Sequence, residues 1–510
     1  MTRTLFHHII YLLGMIALAI SIPLSHFSMG LTAFVLMLNW LAEWNWKEKW
    51  ERVKANKDGL FLPMLFLFCC IGLIHTDLWP IALHNLLAKL PILLAPLMII
   101  TSKPFTYKEF RLIQWAFIGS TVFCCIYSFC YWMSHSIQDI RQISVFIDHI
   151  RFSLCIVLSI VFCCHLMLQN KGQKAMLNAV YSGLIVLQII YMFIAQTLTG
   201  IIILFVIGLM FGLYLLLTMT KSRVKTAILC TIAMLSIVGV AYVGVITFQY
   251  FHCQDTEITE RQTALGNDYA FDSSSIVENG HRVYDYVCLP EMEMAWVQRS
   301  DTAYSPLIEQ TLIRYLNSKG LRKDAAAVNA LSDVDVANVE NKIANVDYTR
   351  RLGLHRALYQ TYFSYSIYKK CGNIEQSSLY QRFELWNASW NVIRNNWLLG
   401  VGLGDYKAEL DSQLERQGSS IAHKHNRGSH NQFLTFWLMG GFLLVLCFVL
   451  VLAYPFWRLR NRITFLYVAY FVIMVLSMIT EDTIESQPGR LLFAVFMPLL
   501  LYANVRGEEN

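Results

Sequence analysis

Long apolar runs dominate this sequence and constrain its fold more than any other feature. A helix needs about 20 apolar residues to cross the hydrocarbon core of a bilayer. Only 15% of the residues are charged, against about a quarter in soluble domains, and the mean hydropathy is +0.44. The sequence therefore predicts an all-α polytopic membrane protein with about twelve spans. The runs lie near residues 5–22, 27–45, 59–76, 85–102, 112–132, 151–168, 176–196, 198–219, 226–247, 431–456, 463–480 and 491–505.

The distribution of Lys and Arg predicts how the spans are oriented, because short cytoplasmic loops are enriched in both. If the N-terminus is cytoplasmic and the first run is an uncleaved span, every second loop is basic, and so is the tail with Arg506. The net charge of +6 is therefore no sign of nucleic-acid binding. The basic loop residues are Lys47, Lys49, Arg52, Lys54, Lys57, Lys103, Lys108, Arg111, Lys171, Lys174, Lys221, Arg223, Lys225, Arg458, Arg460 and Arg462.

This orientation divides the chain into three predicted parts. Residues 1–247 contain membrane helices 1–9, residues 248–430 form a large, mostly helical domain outside the cytoplasm, and residues 431–510 contain helices 10–12. About 180 residues are enough for a small hydrophobic core. Helical periodicity within this part predicts helices from Ser305 to about Gly320, over 335–346, over 352–368 and over 381–397.

Cysteine usage excludes a zinc scaffold. Ten of the thirteen cysteines lie in apolar runs, where Cys acts as a small hydrophobe. Cys253, Cys288 and Cys371 lie in the polar region and allow at most one disulfide there. The segment His423-Lys424-His425 resembles metal-ligand spacing only weakly, so no metal site is predicted.

His430 is the first candidate for catalysis, since it lies where the polar region enters span ten. An imidazole titrates near neutral pH and can accept a proton from a hydroxyl group. Asn431 beside it is a candidate substrate contact. The alternative is an interfacial histidine that only bonds to backbone.

Three arginines on the predicted outer side are candidates for binding an anion. They are Arg151 at the start of span six, Arg382 on a Trp-rich helix that includes Trp386, and Arg427. A planar guanidinium group matches pairs of phosphate oxygens. The alternative for each is a solvated or snorkelling side chain.

Two further segments have more than one interpretation. The stretch from Glu481 to Gln487, at the outer end of span eleven, is suited to orienting a histidine or a sugar, or it is a solvated loop. The alternate glycines of 400–404 allow close approach of a ligand or form a tight turn, and Asp405 is suited to capping the next helix.

Taken together, these segments resemble the O-antigen ligase and polymerase superfamily of membrane glycosyltransferases. The resemblance rests on Arg382 with Leu385-Trp386, on the glycine segment 400–404, and on His430-Asn431-Gln432-Phe433-Leu434 followed by Gly440-Gly441. Glu481 and Gln487-Pro488-Gly489 resemble the end of the family's penultimate span. The layout of spans and outer loop extends the resemblance to nearly the whole chain.

The resemblance implies a GT-C-like fold in the bacterial inner membrane, with a periplasmic active site and cytoplasmic termini. It implies a glycan donor linked through diphosphate to undecaprenol, a lipid A–core acceptor, contact with membrane lipids, and neither cofactor nor metal. His430 would be the general base. Arg382 and Arg151 would bind the diphosphate, while Arg427, Asn431, Trp386, Glu481 and Gln487 would contact substrate.

One position departs from the family. Many members carry an arginine where this chain has Leu198, so a different arginine would complete the phosphate site. The residues also leave three other functions open: an O-antigen polymerase, a protein O-oligosaccharyltransferase, or, in another class, a flippase for lipid-linked glycan. A transporter would place charges within its spans, and few are present there.

Overall fold

The structure is a computed structural model that describes residues 3–135, 140–170, 175–218, 222–253, 260–272, 276–350, 353–372, 374, 377–423 and 427–503. Almost all regular structure in these residues is helical. The chain divides into two compact units. The membrane unit contains residues 1–211 and 381–510, and the inserted unit contains residues 212–380.

Twenty-three α-helices and one short hairpin follow one another along the described chain, and all twelve predicted runs overlap helical segments. The first eleven helices are α1 (Arg3–Leu24), α2 (His26–Ala42), α3 (Trp46–Ala55), α4 (Phe61–Cys69), α5 (Trp79–Ala88), α6 (Leu90–Thr101), α7 (Tyr107–Ser134), α8 (His149–Gln169), α9 (Ala175–Ile194), α10 (Leu198–Thr218) and α11 (Ser222–Phe251). The hairpin β1 (Val277–Glu278) and β2 (His281–Arg282) precedes α12 (Leu289–Arg299), α13 (Pro306–Ser318), α14 (Ala325–Asn329), α15 (Asp333–Glu340), α16 (Asp347–Arg350) and α17 (Gly353–Cys371). The last six are α18 (Ser378–Asn395), α19 (Tyr406–Arg416), α20 (Gln432–Arg458), α21 (Phe465–Thr480), α22 (Gln487–Leu491) and α23 (Met497–Tyr502).

Seven helical segments within the described residues are long and apolar enough to cross a membrane, and an eighth candidate is the α2–α3 pair, which is bent by 107°. Several other predicted runs form shorter apolar helices, such as α21. The chain is therefore an all-α membrane protein, while the count of twelve spans stays a prediction. The seven segments are Arg3–Leu24, Trp79–Thr101, Tyr107–Ser134, His149–Gln169, Ala175–Ile194, Leu198–Leu217 and Gln432–Arg458.

Helix α8 lies in the centre of the membrane unit. Residues 152–163 are all buried, whereas α9 and α10 expose much of their surface. A helix that is apolar on every side is usually surrounded by other helices, and α8 contacts α7, α9 and α21. This position holds Arg151, in its first turn, against the end of α21.

The inserted unit has its own core around Trp296, Tyr315 and Leu316, all of them fully buried. The predicted helix from Ser305 is confirmed: the Ser305 side chain accepts from the N–H of Ile308 at the start of α13. Arg314 of α13 donates two hydrogen bonds to the buried Glu278 carboxylate, at 2.9 and 2.8 Å.

The two compact units begin and end at residues other than 248 and 430, and the predicted division into membrane helices and an outer domain stays a prediction. The inserted unit begins earlier, at Gly212, because α11 belongs to it, and it ends at Tyr380. From Gln381 onward the chain lies in the membrane unit, where α18 buries Val392 and Ile393 in the same core as α20. The helical segment around Arg382 is thus part of the membrane unit.

Helix α20 is broken at Gly440-Gly441, and the glycine segment 400–404 packs against the break. Gly441 has φ of 67° and ψ of −162°, which is not helical. The Val401 N–H donates to the Leu438 carbonyl at 2.7 Å. A Cβ atom on Gly400 would lie 2.4 Å from that carbonyl oxygen. The glycines therefore permit contact between two backbones, which supports the tight-turn interpretation of this segment.

Candidate active site

Three cationic or titratable side chains converge on one buried carboxylate, Glu481. Arg382 donates to Glu481 Oε1 from Nη2 at 2.5 Å. Arg151 Nη1 and His430 Nδ1 both lie against Oε2, at 3.2 and 3.1 Å. The Glu481 side chain is only 2% exposed, whereas that of His430 is 37% exposed. The carboxylate is therefore the buried centre of the cluster, and the imidazole is its open side.

The site is assembled from the ends of three helices and a tight loop. Arg151 is in the first turn of α8, Arg382 in the second turn of α18, and Glu481 follows the last residue of α21. His430 precedes Asn431, the N-cap of α20. Helix ends meet here because each leaves backbone groups that need partners, and Arg382 Nε donates to one of them, the Thr480 carbonyl, at 3.1 Å.

Asp482 fixes the backbone conformation at His430. Its two carboxylate oxygens accept from the N–H groups of His430 and Asn431, both at 3.0 Å, and from the Thr435 hydroxyl at 2.6 Å. His430 itself has φ of 51°, in a region that non-glycine residues seldom occupy. Two clamped N–H groups hold this loop, so the direction of the imidazole ring is set before any ligand arrives.

The pairing with Glu481 also sets the tautomer of His430. Burial raises the pKa of the Glu481 carboxyl. The hydrogen bond from His430 and the charges of Arg151 and Arg382 lower it by a larger amount, so that the pKa is about 2. The carboxylate is therefore ionised and can only accept, so His430 Nδ1 carries the proton and donates it. The lone pair of Nε2 is then available to accept a proton.

The pKa of the Asp482 carboxyl is shifted in the opposite direction. Burial raises the pKa of its carboxyl above the usual value, and the hydrogen bonds from Thr435 and the His430 backbone only partly offset this. The pKa values of these neighbouring carboxyl groups thus shift in opposite directions, because Glu481 faces two guanidinium groups, whereas burial dominates at Asp482 and the nearby Glu485 adds negative charge.

Each arginine is held by several acceptors. Arg151 also donates to the Ser486 hydroxyl at 3.2 Å, to Asp148 at 3.4 Å and to the Asp482 carbonyl at 3.4 Å. Both guanidinium groups are only slightly exposed, 13% for Arg151 and 19% for Arg382. Arg151 and Arg382 share the Glu481 carboxylate, and Arg151 also pairs with Asp148, so two guanidinium groups and two carboxylates lie next to the accessible imidazole. Guanidinium groups are suited to binding phosphate oxygens.

The other predicted site residues separate into two groups. Trp386 and Asn431 touch the cluster: Trp386 Nε1 donates to the His430 carbonyl at 3.4 Å, and the Asn431 side chain caps α20. Arg427 and Gln487 bond elsewhere. Arg427 donates to the Gln381 side chain at 2.9 Å, and Gln487 donates to the His26 carbonyl at 3.0 Å.

Sequence reasoning missed Asp148 as a part of this arrangement and did not single out Asp482 and Ser486 within the stretch from Glu481 to Gln487. For that stretch the sequence leaves two interpretations, a group that orients a histidine or a sugar and a solvated loop. It is not solvated, since Glu481 and Thr483 are buried. The available signal was a run of acidic and hydroxyl residues that follows an apolar helix without any glycine or proline until residue 488.

Leu198, the position of the absent arginine, lies at the start of α10 and is exposed. Among the described residues, no third arginine pairs with Glu481. Arg490 is buried, but its guanidinium group donates to the carbonyls of Ile484 and Glu485. It therefore supports the loop after α21 and not the Glu481 cluster.

A separate cleft of about 540 Å³ lies beside the glycine segment, within the membrane unit. Its wall includes Asp405, which is the N-cap residue of α19 as predicted but makes no capping hydrogen bond with its side chain. The Asp405 carboxylate accepts instead from the N–H groups of Asp77 and Leu78, at 2.9 and 3.2 Å.

One group of side chains has the composition of a weak cation site. The ligand atoms of Asp411, Glu415 and His423 lie within 4.8 Å of one another. His423 Nε2 is 3.0 Å from Glu415, so ion pairing with an exposed imidazole accounts for the arrangement. Lys424 and His425, the rest of the segment noted in the sequence, are outside the described residues.

Comparison with known proteins connects this site to a family. A family model described as O-Antigen ligase matches residues 345–449, a segment that contains Arg382, the glycine segment and His430. No curated protein sequence matches the chain. Members of the matched family are glycosyltransferase-like enzymes. The match confirms the resemblance of residues 345–449 to the O-antigen ligase and polymerase superfamily, and the apolar helices indicate a membrane protein.

Proposed function

We propose that this protein is an O-antigen ligase, which transfers a glycan from undecaprenyl diphosphate to a lipid A–core acceptor on the periplasmic side of the bacterial inner membrane. The observation that carries the proposal is the cluster of Arg151, Arg382 and His430 around Glu481. Both termini are then cytoplasmic, and the cluster lies at the outer ends of the spans.

His430 is the general base in this proposal. The acceptor hydroxyl is a weak nucleophile, and His430 Nε2 takes its proton as the oxygen bonds to the anomeric carbon. Glu481 holds Nδ1–H, as the buried aspartate holds the histidine in catalytic triads, and stabilises the imidazolium ion that forms. Removal of such a base typically costs about 10²–10⁴-fold in rate.

Arg382 and Arg151 bind and stabilise the leaving diphosphate. The bond from the anomeric carbon to the diphosphate breaks, and its electron pair leaves with the diphosphate oxygen. Guanidinium groups stabilise the charge that develops there. Because they are already fixed by Glu481, Thr480 and Ser486, little reorganisation is needed in the reaction. Direct displacement inverts the anomeric centre, and no metal or cofactor takes part.

Glu481 acts through its neighbours in this mechanism. Its side chain is buried beneath the two arginines and the imidazole, so we assign it a positioning role instead of direct substrate contact. Trp386 and Asn431 support the His430 loop in the same way. Arg427 and Gln487 remain candidates for contacts with more distant parts of the substrates.

The test is transfer by the purified protein from undecaprenyl-diphosphate-linked glycan to lipopolysaccharide that lacks O-antigen. His430→Ala is expected to lower the rate by at least about 100-fold while the protein still folds in the membrane. His84→Ala is the matched control, because His84 is exposed on α5 outside the cluster, and it is expected to retain the wild-type rate.

The products separate the alternatives. Glycan attached to lipid A–core supports a ligase, longer glycan on the lipid carrier supports a polymerase, and glycan on a protein acceptor supports a protein O-oligosaccharyltransferase. Movement of the donor across the membrane without bond formation supports a flippase. Normal transfer by His430→Ala would refute the assignment of the base.

A further inference from the structure

The cleft beside the glycine segment has the chemistry of a glycan-binding site. It is lined by the exposed side chains of His75, Asp77, Asn395 and Trp397 and by the partly exposed Glu409. Carboxylates and amides bond to vicinal hydroxyl groups, and an exposed indole ring offers a flat apolar face to the C–H face of a sugar. The volume of about 540 Å³ is within the usual range of roughly 300–1,000 Å³ for ligand pockets.

The cleft differs from the Glu481 cluster in its charged groups, because it offers carboxylates and no guanidinium group. Asp77, Asp405 and Glu409 contribute carboxylates to the lining, Glu409 is paired with Arg416 at 3.3 Å, and among the described residues no Lys or Arg lines the cleft. Such a surface repels phosphate groups. The diphosphate of a lipid carrier therefore fits the Glu481 cluster, while the uncharged hydroxyl-rich part of a substrate fits the cleft.

The walls of the cleft are fixed without a ligand. The Thr76 hydroxyl donates to Asp405 at 2.5 Å and accepts from the Gly404 N–H at 3.1 Å, which ties the loop after α4 to the glycine segment. A Cβ atom on Gly404 would lie 2.5 Å from the Leu78 carbonyl oxygen, so the two backbones are in close contact. Preorganised walls reduce the entropy cost of binding.

Helix α18 connects the cleft to the reaction site. Trp386 bonds to the His430 carbonyl, and Asn395, nine residues later at the end of α18, lines the cleft. At about 1.5 Å per residue, this is ~14 Å along the helix. A glycan of a few sugars is long enough to reach from one to the other.

We infer that this cleft binds a neutral stretch of glycan, several sugars away from the hydroxyl group or anomeric carbon that reacts at His430. The reaction named in this inference rests on the proposed function, whereas the binding of glycan in the cleft does not depend on it. The glycan belongs either to the acceptor or to the donor, and the kinetics described below separate these sources.

Binding is measured first without any reaction. The full-length protein in nanodiscs is titrated with delipidated core oligosaccharide, and with maltotriose as a neutral probe, by saturation-transfer difference NMR. Trp397→Ala and the pair Asp77→Asn and Glu409→Gln are each expected to weaken binding about tenfold or more, since a lost hydrogen bond to a charged group or a lost aromatic contact is of this order.

Two control variants test whether the loss of binding is specific to residues of the cleft. Trp457→Ala removes an exposed tryptophan at the other end of α20, and Glu415→Gln removes an exposed carboxylate of α19 outside the cleft. Both are expected to bind the oligosaccharide as the wild type does. His430→Ala is expected to bind it too, so a failure of the proposed reaction leaves this binding result unaffected.

Transfer kinetics then show whether the glycan bound in the cleft belongs to the acceptor or to the donor. A tenfold rise in the KM for lipid A–core in the Trp397→Ala variant assigns the cleft to the acceptor, and a rise in the KM for the lipid-linked donor assigns it to the donor. Unchanged oligosaccharide binding in the cleft variants would overturn the inference. So would a signal that appears only with Ca²⁺ or Mg²⁺, since it would indicate a cation site.

Discussion

Glu481 is the residue on which the geometry of the candidate site depends most. Its carboxylate is buried, and each of its two oxygens accepts from a different set of partners, Arg382 on one side and Arg151 with His430 on the other. Removal of one partner from such a buried group leaves the others with uncompensated charge. A substitution here is therefore expected to disturb both the proposed base and the proposed phosphate site.

The pH dependence of stability tests the charge state of Glu481. Its folded-state pKa, about 2, is below the usual value of 4.5, so the carboxylate stabilises the protein above about pH 4.5, and this contribution is lost as the pH falls towards 2. The difference in Tm between the wild type and Glu481→Gln should be constant near neutral pH and shrink in acid. Thermal unfolding in detergent between about pH 7 and pH 2.5 measures it.

The control for this measurement is Glu415→Gln, a change at an exposed carboxylate, which should leave Tm nearly unchanged at every pH. A Tm difference for Glu481→Gln that stayed constant down to about pH 2.5 would contradict the ionised carboxylate. With a Glu481 pKa of about 2, a loss of activity between about pH 5 and pH 7 must come from another group.

Arg382 uses its guanidinium fork in two directions, towards the Thr480 carbonyl and the Glu481 carboxylate. Lysine has a point charge and cannot make both bonds in this geometry. Arg382→Lys is therefore expected to raise the KM for the lipid-linked donor about tenfold or more, with a smaller effect on the acceptor. Steady-state transfer kinetics with each substrate varied in turn test this.

Arg394→Lys, on the same helix, is the matched control. The Arg394 guanidinium group lies over the Trp390 ring, 5.8 Å from its centroid, and the side chain is exposed outside the Glu481 cluster. This variant should keep the wild-type donor KM. If both arginine variants raised the donor KM equally, general charge and not the fork at Arg382 would explain the effect.

At the scale of single residues, the sequence predicted which side chains belong to the site better than it predicted the partners that they bond to. His430, Arg382 and Arg151 were predicted as one group, and the structure brings them together on Glu481. Arg427 was predicted with them but bonds to Gln381. The sequence could not separate these cases, because membership depends on where the ends of α8, α18 and α21 meet, which is set by packing between helices distant in the chain.

Helix α18 shows how an element can be predicted while its buried face is not. The helical spacing of Phe383, Trp386, Trp390 and Ile393 predicts a helix over 381–397, and α18 is present. Of these four residues only Ile393 is buried, together with Leu385, Ala388, Ser389 and Val392, while Phe383 and Trp390 are exposed. Aromatic side chains are favoured at a membrane surface as well as in a core, so spacing alone did not determine which face is buried.

The break in α20 gives a prediction at the scale of elements. Gly441 has φ of 67°, and a Cβ atom there would lie 2.1 Å from the Leu398 carbonyl oxygen. Gly441→Ala is expected to destabilise the protein by more than the ~1–3 kcal/mol of a residue in a backbone region that only glycine normally occupies, because the segment leading to the glycine loop must also move. Thermal unfolding of the purified protein measures the effect as a lower Tm.

Gly119→Ala is the control for the same chemical change in an ordinary helix. Gly119 lies within α7, and nothing lies within 4 Å of the position that a Cβ atom would take. Alanine is favoured over glycine in a helix interior by about 0.5–1 kcal/mol, so this variant should be as stable as the wild type or more stable. Equal destabilisation of both variants would argue against a special conformation at Gly441.

At the scale of the whole molecule, composition predicted the class of protein but not the number of full spans. All twelve apolar runs are helical, yet only seven segments pass the test of length and hydropathy within the described residues. Helix α21 has 16 residues, about 24 Å at 1.5 Å per residue, which is shorter than a hydrocarbon core of roughly 30 Å. An apolar run alone does not reveal where a break or a short helix occurs.

The broken helix α20 also bears on the position of the candidate site. The part after the break, residues 441–458, is about 27 Å long and is sufficient to cross most of the bilayer. In the proposed topology, the part before the break, which follows His430, would lie at the periplasmic surface, where water and a sugar hydroxyl would reach the imidazole. This arrangement requires that residue 441 is at the outer surface and Arg458 at the inner one.

Reporter fusions test that orientation, because the side on which a fusion point lies depends on whether an odd or an even number of spans precedes it. Alkaline phosphatase fused after Gln417 should be active and GFP should not fluoresce there, since nine spans precede this point in the proposed topology. Fusions after Arg460 should show the reverse, because α20 has then crossed and its basic end is cytoplasmic. A fluorescent GFP fusion at Gln417 would place His430 in the cytoplasm, away from a periplasmic acceptor, and would refute the ligase proposal whatever the geometry of the cluster.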